Sequence, residues 1–301
     1  MTAVFGGTYV AVDVGGTGIK AAVVDPDGTL LSEATWPTPV SEGPEAVVQA
    51  IRATVLTLKT GADGVGVVVP GAVDAAAGIA RYSANLGWRD VPLAAVLAAD
   101  TGLPVGLEHD VRAAGIAEQT LGLTAGVADS LLVVLGTGVA GLLTVGGRPA
   151  VGAGGLAGEI GHTPVWPQGE TCPCGQRGCL ERYASAAAIA RRYLDRTGAS
   201  LSTATIAGRL SSDADAAEVW DDATSALGIA LATYTMLLDP SVIVLGGGLA
   251  GAGAALLDPV RAELERRIIW RDAPPVELSP LGGKAGLLGA AIVASRAAAG
   301  S

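Results

Sequence analysis

The sequence predicts an α/β protein of two lobes, and three observations carry that prediction. The chain has 301 residues, more than one hydrophobic core usually serves. Short apolar runs of strand length alternate with longer Ala-rich helical patterns. The unit apolar strand, Gly-Thr-Gly, apolar strand occurs twice, at Gly16-Thr17-Gly18 and at Gly136-Thr137-Gly138, 120 residues apart. Matching flanks around both triplets read as a duplicated half-domain.

The elements follow in order. Residues 8–14 read as a buried strand, Gly15 to Gly18 as a turn and residues 19–25 as a second strand. Pro26-Asp27-Gly28 is a tight turn and residues 29–36 a third strand, before a helix at about 43–60. This meander is not a dinucleotide-binding opening, which would place a helix directly after the glycines. Val65 to Val69 is a strand ending in Pro70-Gly71. Val105 to Asp110 is a strand end, and Val111 to Leu121 an Ala-rich helix. Strands from Leu131 to Leu135 and on through Val145 flank the second triplet. Helices are expected at about 184–197, 203–210 and 215–238. Then come a strand at Ser241 to Leu245, Gly246-Gly247-Gly248, a helix to about Arg267, a strand near 276–279 and a last helix from Leu287 to about Ala299. The expected division is a small lobe over residues 1–115, with the C-terminal helix 287–301 packed back on it, and a large lobe over 116–286.

Composition removes several classes of function. Half the residues are hydrophobic and the net charge is −10, which disfavours nucleic-acid and anionic-membrane partners that need basic patches. The start shows neither a basic leader nor a long apolar run, so no export signal is read there. The uncharged stretch from Ser130 to Gly147 reaches the length of a membrane span, but its glycines fit two buried strands and a turn better. Free thiols without an export signal point to the cytoplasm.

All three cysteines, Cys172, Cys174 and Cys179, fall within eight residues, and His162 lies just upstream. Three thiolates and one imidazole make a complete tetrahedral set for zinc, with no position open for water, so the site reads as structural. The alternative is three buried small hydrophobes. Glu159 and Glu181 bracket the set and are not needed to fill it. A metal-braced loop with spare carboxylates suits a hydroxyl-rich ligand.

Asp13-Val-Gly15-Gly16-Thr17-Gly18-Ile-Lys20 is a Gly-rich turn between strands, open to close approach by phosphate oxygens. It lacks the Gly-Lys-Ser/Thr ending of a Walker A loop. Asp13 reads either as a magnesium-holding carboxylate or as a solvated turn residue. Gly136-Thr137-Gly138 is the second phosphate turn. Gly246-Gly247-Gly248 suits a flat ring such as adenine, or is a plain strand-to-helix turn. Asp110 stands where a strand becomes a helix, as an N-cap or as a general base in phosphoryl transfer. Asn85 offers donor and acceptor to vicinal hydroxyls, or is an ordinary turn residue. Trp88 reads as core.

These segments in this order resemble the ROK family (repressors, open reading frames and sugar kinases), and within it the bacterial glucokinases. The resemblance covers essentially the whole chain and rests on Asp13 to Lys20, the Asp110 segment, Leu135 to Gly138, Gly154 to His162 and Cys172 to Glu181. It implies an actin-like, ribonuclease-H-like two-lobed fold with the site in the interlobe cleft, and transfer of the γ-phosphoryl group of ATP to a hexose, with Mg2+ accompanying the nucleotide and Zn2+ structural. It makes Asp110 the base on the sugar 6-hydroxyl. It places Asn85, Glu159, His162 and Glu181 on the ring hydroxyls, with Gly71 and His109 at the same sugar. The nucleotide then falls to Asp13, Gly15, Gly16, Thr17, Lys20, the second turn and Gly246 to Gly248. It also implies a homodimer or homotetramer. A repressor of the same family would carry an additional DNA-binding domain before the first strand, for which the sequence leaves no room. One departure stands out: the family commonly has Asn before the catalytic Asp, and here it is His109, which opens an amino or N-acetylamino hexose as the alternative to glucose.

Overall fold

The computed structural model describes residues 4–300. The chain runs β1 (Tyr9–Val14), β2 (Gly18–Val24), β3 (Leu30–Pro37), α1 (Pro44–Leu58), β4 (Gly64–Val69), β5 (Ala72–Asp74), β6 (Ile79–Ser83), β7 (Trp88–Val91), α2 (Leu93–Thr101), β8 (Val105–His109) and α3 (Asp110–Leu121). It continues with β9 (Ser130–Leu135), β10 (Val139–Val145), β11 (Arg148–Pro149), α4 (Glu181–Ala184), α5 (Ala186–Thr197), α6 (Thr203–Ala207), α7 (Ala214–Leu238), β12 (Val242–Gly246), α8 (Ala254–Arg267), β13 (Val276–Leu278) and α9 (Ala285–Ala298). Two compact units result. One holds the chain up to Thr120, Gly152–Leu156 and the chain from Lys284 on; the other holds Leu121–Val151 and Ala157–Gly283.

The first unit is built on a five-stranded sheet ordered β3-β2-β1-β4-β8. β1 pairs antiparallel with β2 and parallel with β4, and β4 pairs parallel with β8. On one face α1 and α2 close a core of Val10, Val12, Val47, Ile51, Val67, Leu93 and Leu97. On the other face α9 lies directly on β1, β4 and β8. Glycines make that possible. A methyl at Gly66 would enter the Ala290 carbonyl, and one at Gly106 would come within 2.6 Å of the Val293 side chain. Helix backbone therefore rests on sheet backbone. A three-stranded antiparallel sheet, β5-β6-β7, completes this unit. The sequence reading assigns no element between Gly71 and Val105, where the structure has β5, β6, β7 and α2.

The second unit repeats the plan: its sheet runs β11-β10-β9-β12-β13, with β9 antiparallel to β10 and parallel to β12. Strand for strand this is the topology of the first sheet, with each Gly-Thr-Gly triplet at the same hairpin. The core lies between β9, β12 and the long α7, through Leu131, Val133, Ile243, Leu245, Leu227 and Leu231. The expected helix at 184–197 divides into α4 and α5, because Ser185 takes an extended conformation and caps α5 by accepting from Ala188 N–H. The expected helix after Gly248 opens with a 3-10 turn, Gly248–Ala252, and only then becomes α8. No helix among the described residues is long and apolar enough to cross a membrane.

Candidate functional site

On the first unit, the ends of β1 and β8 carry the two carboxylates of interest. They are strands of one sheet, separated by β4. Asp13 is the penultimate residue of β1 and stands opposite Lys20 of β2 in the register. Burial, and then the charge of Asp110, lift its pKa from 3.8 to about 6, while Lys20 pulls the other way. Gly286, in the first turn of α9, gives the carboxylate its room: a methyl there would sit 2.5 Å from Asp13 Oδ2. Nothing in the sequence marks Gly286, since its role exists only once α9 is docked.

The turn after β1 is tight, with Gly15 N–H donating to the Gly18 carbonyl at 2.8 Å. Thr38 braces it from outside, its Oγ1 donating to the Gly15 carbonyl at 2.6 Å. Gly16 and Thr17 are exposed. Exposed Asn85 lies over this turn, its Cβ 3.7 Å from where a Gly16 Cβ would be. Gly71 has φ +104°, and a side chain there would strike the Tyr82 carbonyl, so it fixes the entry to β5. Trp88 is buried core, its Nε1 donating to the Pro44 carbonyl at 3.0 Å.

Asp110 opens α3. Its Oδ1 accepts from Val111 N–H at 2.7 Å, one residue on, rather than from the second or third amide of the helix as an N-cap would. Its side chain keeps about a third of its surface open (32%), enough for a substrate hydroxyl to reach. Burial raises its pKa, against the lowering effect of the backbone amides at Val111 and Asp110. His109 Nε2 lies 3.3 Å from the same Oδ1. Arg112 N–H approaches His109 Nδ1 at 3.4 Å, which leaves the ring proton on Nε2, facing Asp110. Buried Arg112 ties this corner down, with Nε donating to Glu108 Oε1 at 2.8 Å and Nη2 to the Val73 carbonyl at 3.3 Å. The sequence marks Arg112 only as a departure from the family's pattern after Asp110; its pairing with Glu108 spans a strand–helix junction and no local pattern announces it.

On the second unit, Gly136 N–H donates to the Gly138 carbonyl at 2.9 Å, the same closure as in the first hairpin, and Thr137 is exposed at its tip. Glu181, the first residue of α4, reaches this turn: its Oε2 accepts from Val139 N–H at 2.9 Å, and a methyl on Gly138 would sit 2.6 Å from that oxygen. A cavity of ≈ 160 Å³ bordered by Thr137, Glu181, Arg182, Ser185 and Arg191 adjoins it. A second cavity of ≈ 220 Å³ is lined by Ala186, Thr203, Ala204, Trp220, Gly248 and Leu249. Its small apolar walls suit a flat heterocycle. Gly246 ends β12, and Gly247, at φ +82°, packs so close to the Leu135 backbone that no side chain fits.

Glu159 is exposed at the start of a 3-10 turn, Ile160–His162. Two glycines press this segment onto β10: side chains at Gly158 and Gly161 would collide with the carbonyls of Gly141 and Val139. Tyr234 of α7 holds it from beneath, its hydroxyl donating to the Ile160 carbonyl at 2.9 Å and meeting Thr163 Oγ1 at 2.5 Å. His162, Cys172, Cys174 and Cys179 converge, their ligand atoms all within 4.8 Å of one another. The His162 Nδ1–Cys172 Sγ separation is 3.8 Å and the Cys174 Sγ–Cys179 Sγ separation 3.7 Å. Tetrahedral zinc with Zn–S near 2.3 Å needs sulfur–sulfur edges of about 3.8 Å, so the donor set fits that ion. Burial and the neighbouring Cys172 and Cys174 thiols push the Cys179 thiol up to about 12, a crowding that a divalent cation would relieve. With Nδ1 in the cluster, Nε2 of His162 is left for another partner.

Comparison with known proteins agrees with this picture. Residues 9–297 match the model of the ROK family. A glucokinase of Streptomyces coelicolor is 34% identical over 96% of this chain and 98% of its own length. An N-acetylmannosamine kinase of Escherichia fergusonii is 33% identical over 85% and 89%. Among solved structures, a ROK family glucokinase from Streptomyces griseus in complex with glucose and AMPPNP superposes with a TM-score of 0.87 at 34% identity, covering 96% of this chain and all (100%) of that one. The chain belongs to the ROK family and has its actin-like ATPase fold, and the three relatives named above are sugar kinases.

Proposed function

We propose that this protein is an ATP-dependent hexose kinase that transfers the γ-phosphoryl group of ATP to the sugar 6-hydroxyl, with glucose as substrate. The observation that carries the reading is Asp110: a reachable carboxylate whose basicity burial has raised, the first residue of α3 just past the end of β8, which neighbours β4 and lies two strands from Asp13 and β1. In the proposed reaction Asp110 takes the proton of the 6-hydroxyl as O6 bonds to the γ-phosphorus, and the bond to the β-γ bridging oxygen breaks to release ADP. Val111 N–H and His109 hold Oδ1, which leaves Oδ2 for the proton. Gly15, Gly16, Thr17, Lys20, Gly136, Thr137 and Gly138 are assigned to the phosphates, and Gly246 to Gly248, with the cavity at Gly248, to the adenine. Asn85, Gly71, His109, Glu159, His162 and Glu181 are assigned to the sugar.

Asp13 would hold magnesium, which supplies charge neutralisation at the β- and γ-oxygens when the nucleotide binds. His162, Cys172, Cys174 and Cys179 would hold a structural zinc that fixes the aim of the His162 ring. Three free thiols suit a reducing, cytoplasmic setting. One specific feature favours a second reading, a kinase for an amino or N-acetylamino hexose: His109 stands beside Asp110 where the family commonly has Asn. An ADP-release screen with Mg2+ and ATP over glucose, mannose, fructose, glucosamine, N-acetylglucosamine and N-acetylmannosamine tests both readings. Turnover highest on glucose supports the first, and turnover highest on an amino or acetamido sugar supports the second. Silence across the panel sinks the kinase reading. So does near-normal turnover by Asp110→Asn, for which a loss in kcat of about 1,000-fold or more is expected.

A further inference from the structure

Glu181 does to the second Gly-Thr-Gly turn what a bound phosphate would do. Its Oε2 accepts from Val139 N–H at 2.9 Å, the first amide after Gly138. Gly138 keeps that place open, since a methyl there would sit 2.6 Å from the same oxygen. An anionic oxygen on the backbone amide of a glycine turn makes a charge-assisted hydrogen bond, the contact that such turns offer to phosphate. Among the described residues no cation pairs with Glu181. The guanidinium groups of Arg182 and Arg191, which border the same cavity, go to Glu170 at 3.3 and 2.5 Å.

The turn does not depend on this carboxylate for its shape. Gly136 N–H closes it onto the Gly138 carbonyl at 2.9 Å, and Ala186 N–H, at the start of α5, donates to the Gly136 carbonyl at 2.8 Å. The matching hairpin of the first unit is braced by a neutral hydroxyl, that of Thr38, on a carbonyl. Backbone hydrogen bonds also fix the chain around Glu181. Leu180 N–H donates to the Thr163 carbonyl at 2.9 Å, and Arg182 N–H to the Cys179 carbonyl at 3.0 Å. Only the side chain is free to turn, and the cavity that Thr137, Glu181 and Ser185 border gives it room.

We propose that the Glu181 carboxylate occupies a phosphate's place on the second turn until a hexose hydroxyl draws it away, so that sugar binding opens the turn to the nucleotide. This rests on the proposed function, which assigns Glu181 to the sugar and Gly136 to Gly138 to the phosphates. Two effects act together. Oε2 takes the Val139 amide that a phosphate oxygen would use, and its negative charge repels the phosphate tail. A hexose hydroxyl donates to the carboxylate and so favours the state in which that amide is free. By linkage, bound nucleotide tightens the hexose by the same factor. The phosphoryl donor is held weakly while no acceptor is present.

Calorimetric titration with Mg2+ and AMP-PNP, with and without the hexose on which the panel turns over fastest, tests this. In the wild type, saturating hexose lowers the Kd of the nucleotide analogue by about tenfold. Glu181→Ala binds the analogue about tenfold more tightly than wild type with no sugar present, and hexose then adds less than about twofold. Glu181→Gln, which still accepts from Val139 but carries no charge, falls between the two. A bracing role has the opposite sign, because loss of the carboxylate would loosen the turn and weaken sugar-free nucleotide binding. Equal or weaker sugar-free binding by Glu181→Ala, with zinc content and circular dichroism unchanged, overturns the inference. Where Glu181→Ala loses zinc, Glu181→Gln decides by the same sign. A wild type that binds hexose without any change in nucleotide affinity overturns it equally, and leaves the proposed function standing. A wild type that binds the analogue but no hexose of the panel sinks the proposed function, and this inference with it.

Discussion

Asp13→Asn is expected to make the protein more stable and less active at once, and the gain must depend on pH. The wild-type carboxyl has a folded-state pKa of about 6 against 3.8 for the ordinary group. Below pH 3.8 it is protonated in both states and contributes nothing. Between the two values the unfolded chain releases a proton that the folded chain keeps, so folding becomes progressively less favourable as pH rises. Above about 6 the penalty levels off, and a shift of that size corresponds to about 3 kcal/mol. Asparagine keeps the shape and removes the charge, and with it the repulsion from Asp110. Chemical denaturation without added magnesium should therefore show the variant ahead of wild type by about 1.5 kcal/mol at pH 5 and about 3 kcal/mol at pH 8. ADP production should fall by orders of magnitude in the same variant. A stability gain that does not change with pH, or a variant weaker than wild type at pH 8, refutes the reasoning. Buried charge that weakens the fold is kept where chemistry needs it.

Three further outcomes are expected. Cys174→Ser, or treatment with a strong chelator, should release one zinc per chain, measured by plasma emission, and should raise KM for the hexose at least several-fold more than KM for ATP, because His162 loses its anchor. Gly286→Ala improves helix propensity by roughly 1 kcal/mol but must displace the Asp13 carboxylate, 2.5 Å from the new methyl. Steady-state kinetics should show about a tenfold or greater loss in kcat/KM for MgATP without loss of stability. His109→Asn should change the ratio of kcat/KM between glucose and N-acetylated hexoses by about tenfold; an unchanged ratio would confine His109 to supporting Asp110.

How much of this was legible in the sequence depended on range. The cysteine loop was readable because ligand spacing is local and chemically narrow, and the structure brings its four donors together as the spacing suggests. The paired hairpins were readable because β1, β2, β9 and β10 are mostly apolar runs joined two by two through a Gly-Thr-Gly turn. The sheet β5-β6-β7 was not. Its strands are three to five residues long, and Arg81, Tyr82, Arg89 and Asp90 interrupt any apolar alternation. Helix α2, Leu93–Thr101, is apolar around most of its girth and offers no stripe to detect. The roles of Gly286, Arg112 and Tyr234 arise from segments far apart in the chain, and no local pattern announces them.

The seating of α9 on bare glycine has a consequence for biosynthesis. Strands β1, β4 and β8 are synthesised well before the helix that packs on that face of their sheet. Until residues 285–298 leave the exit tunnel, that face stays bare and the nascent first unit remains a substrate for chaperones. Deleting α9 would thus cripple the first sheet and would leave Asp13 without the helix end that shelters it.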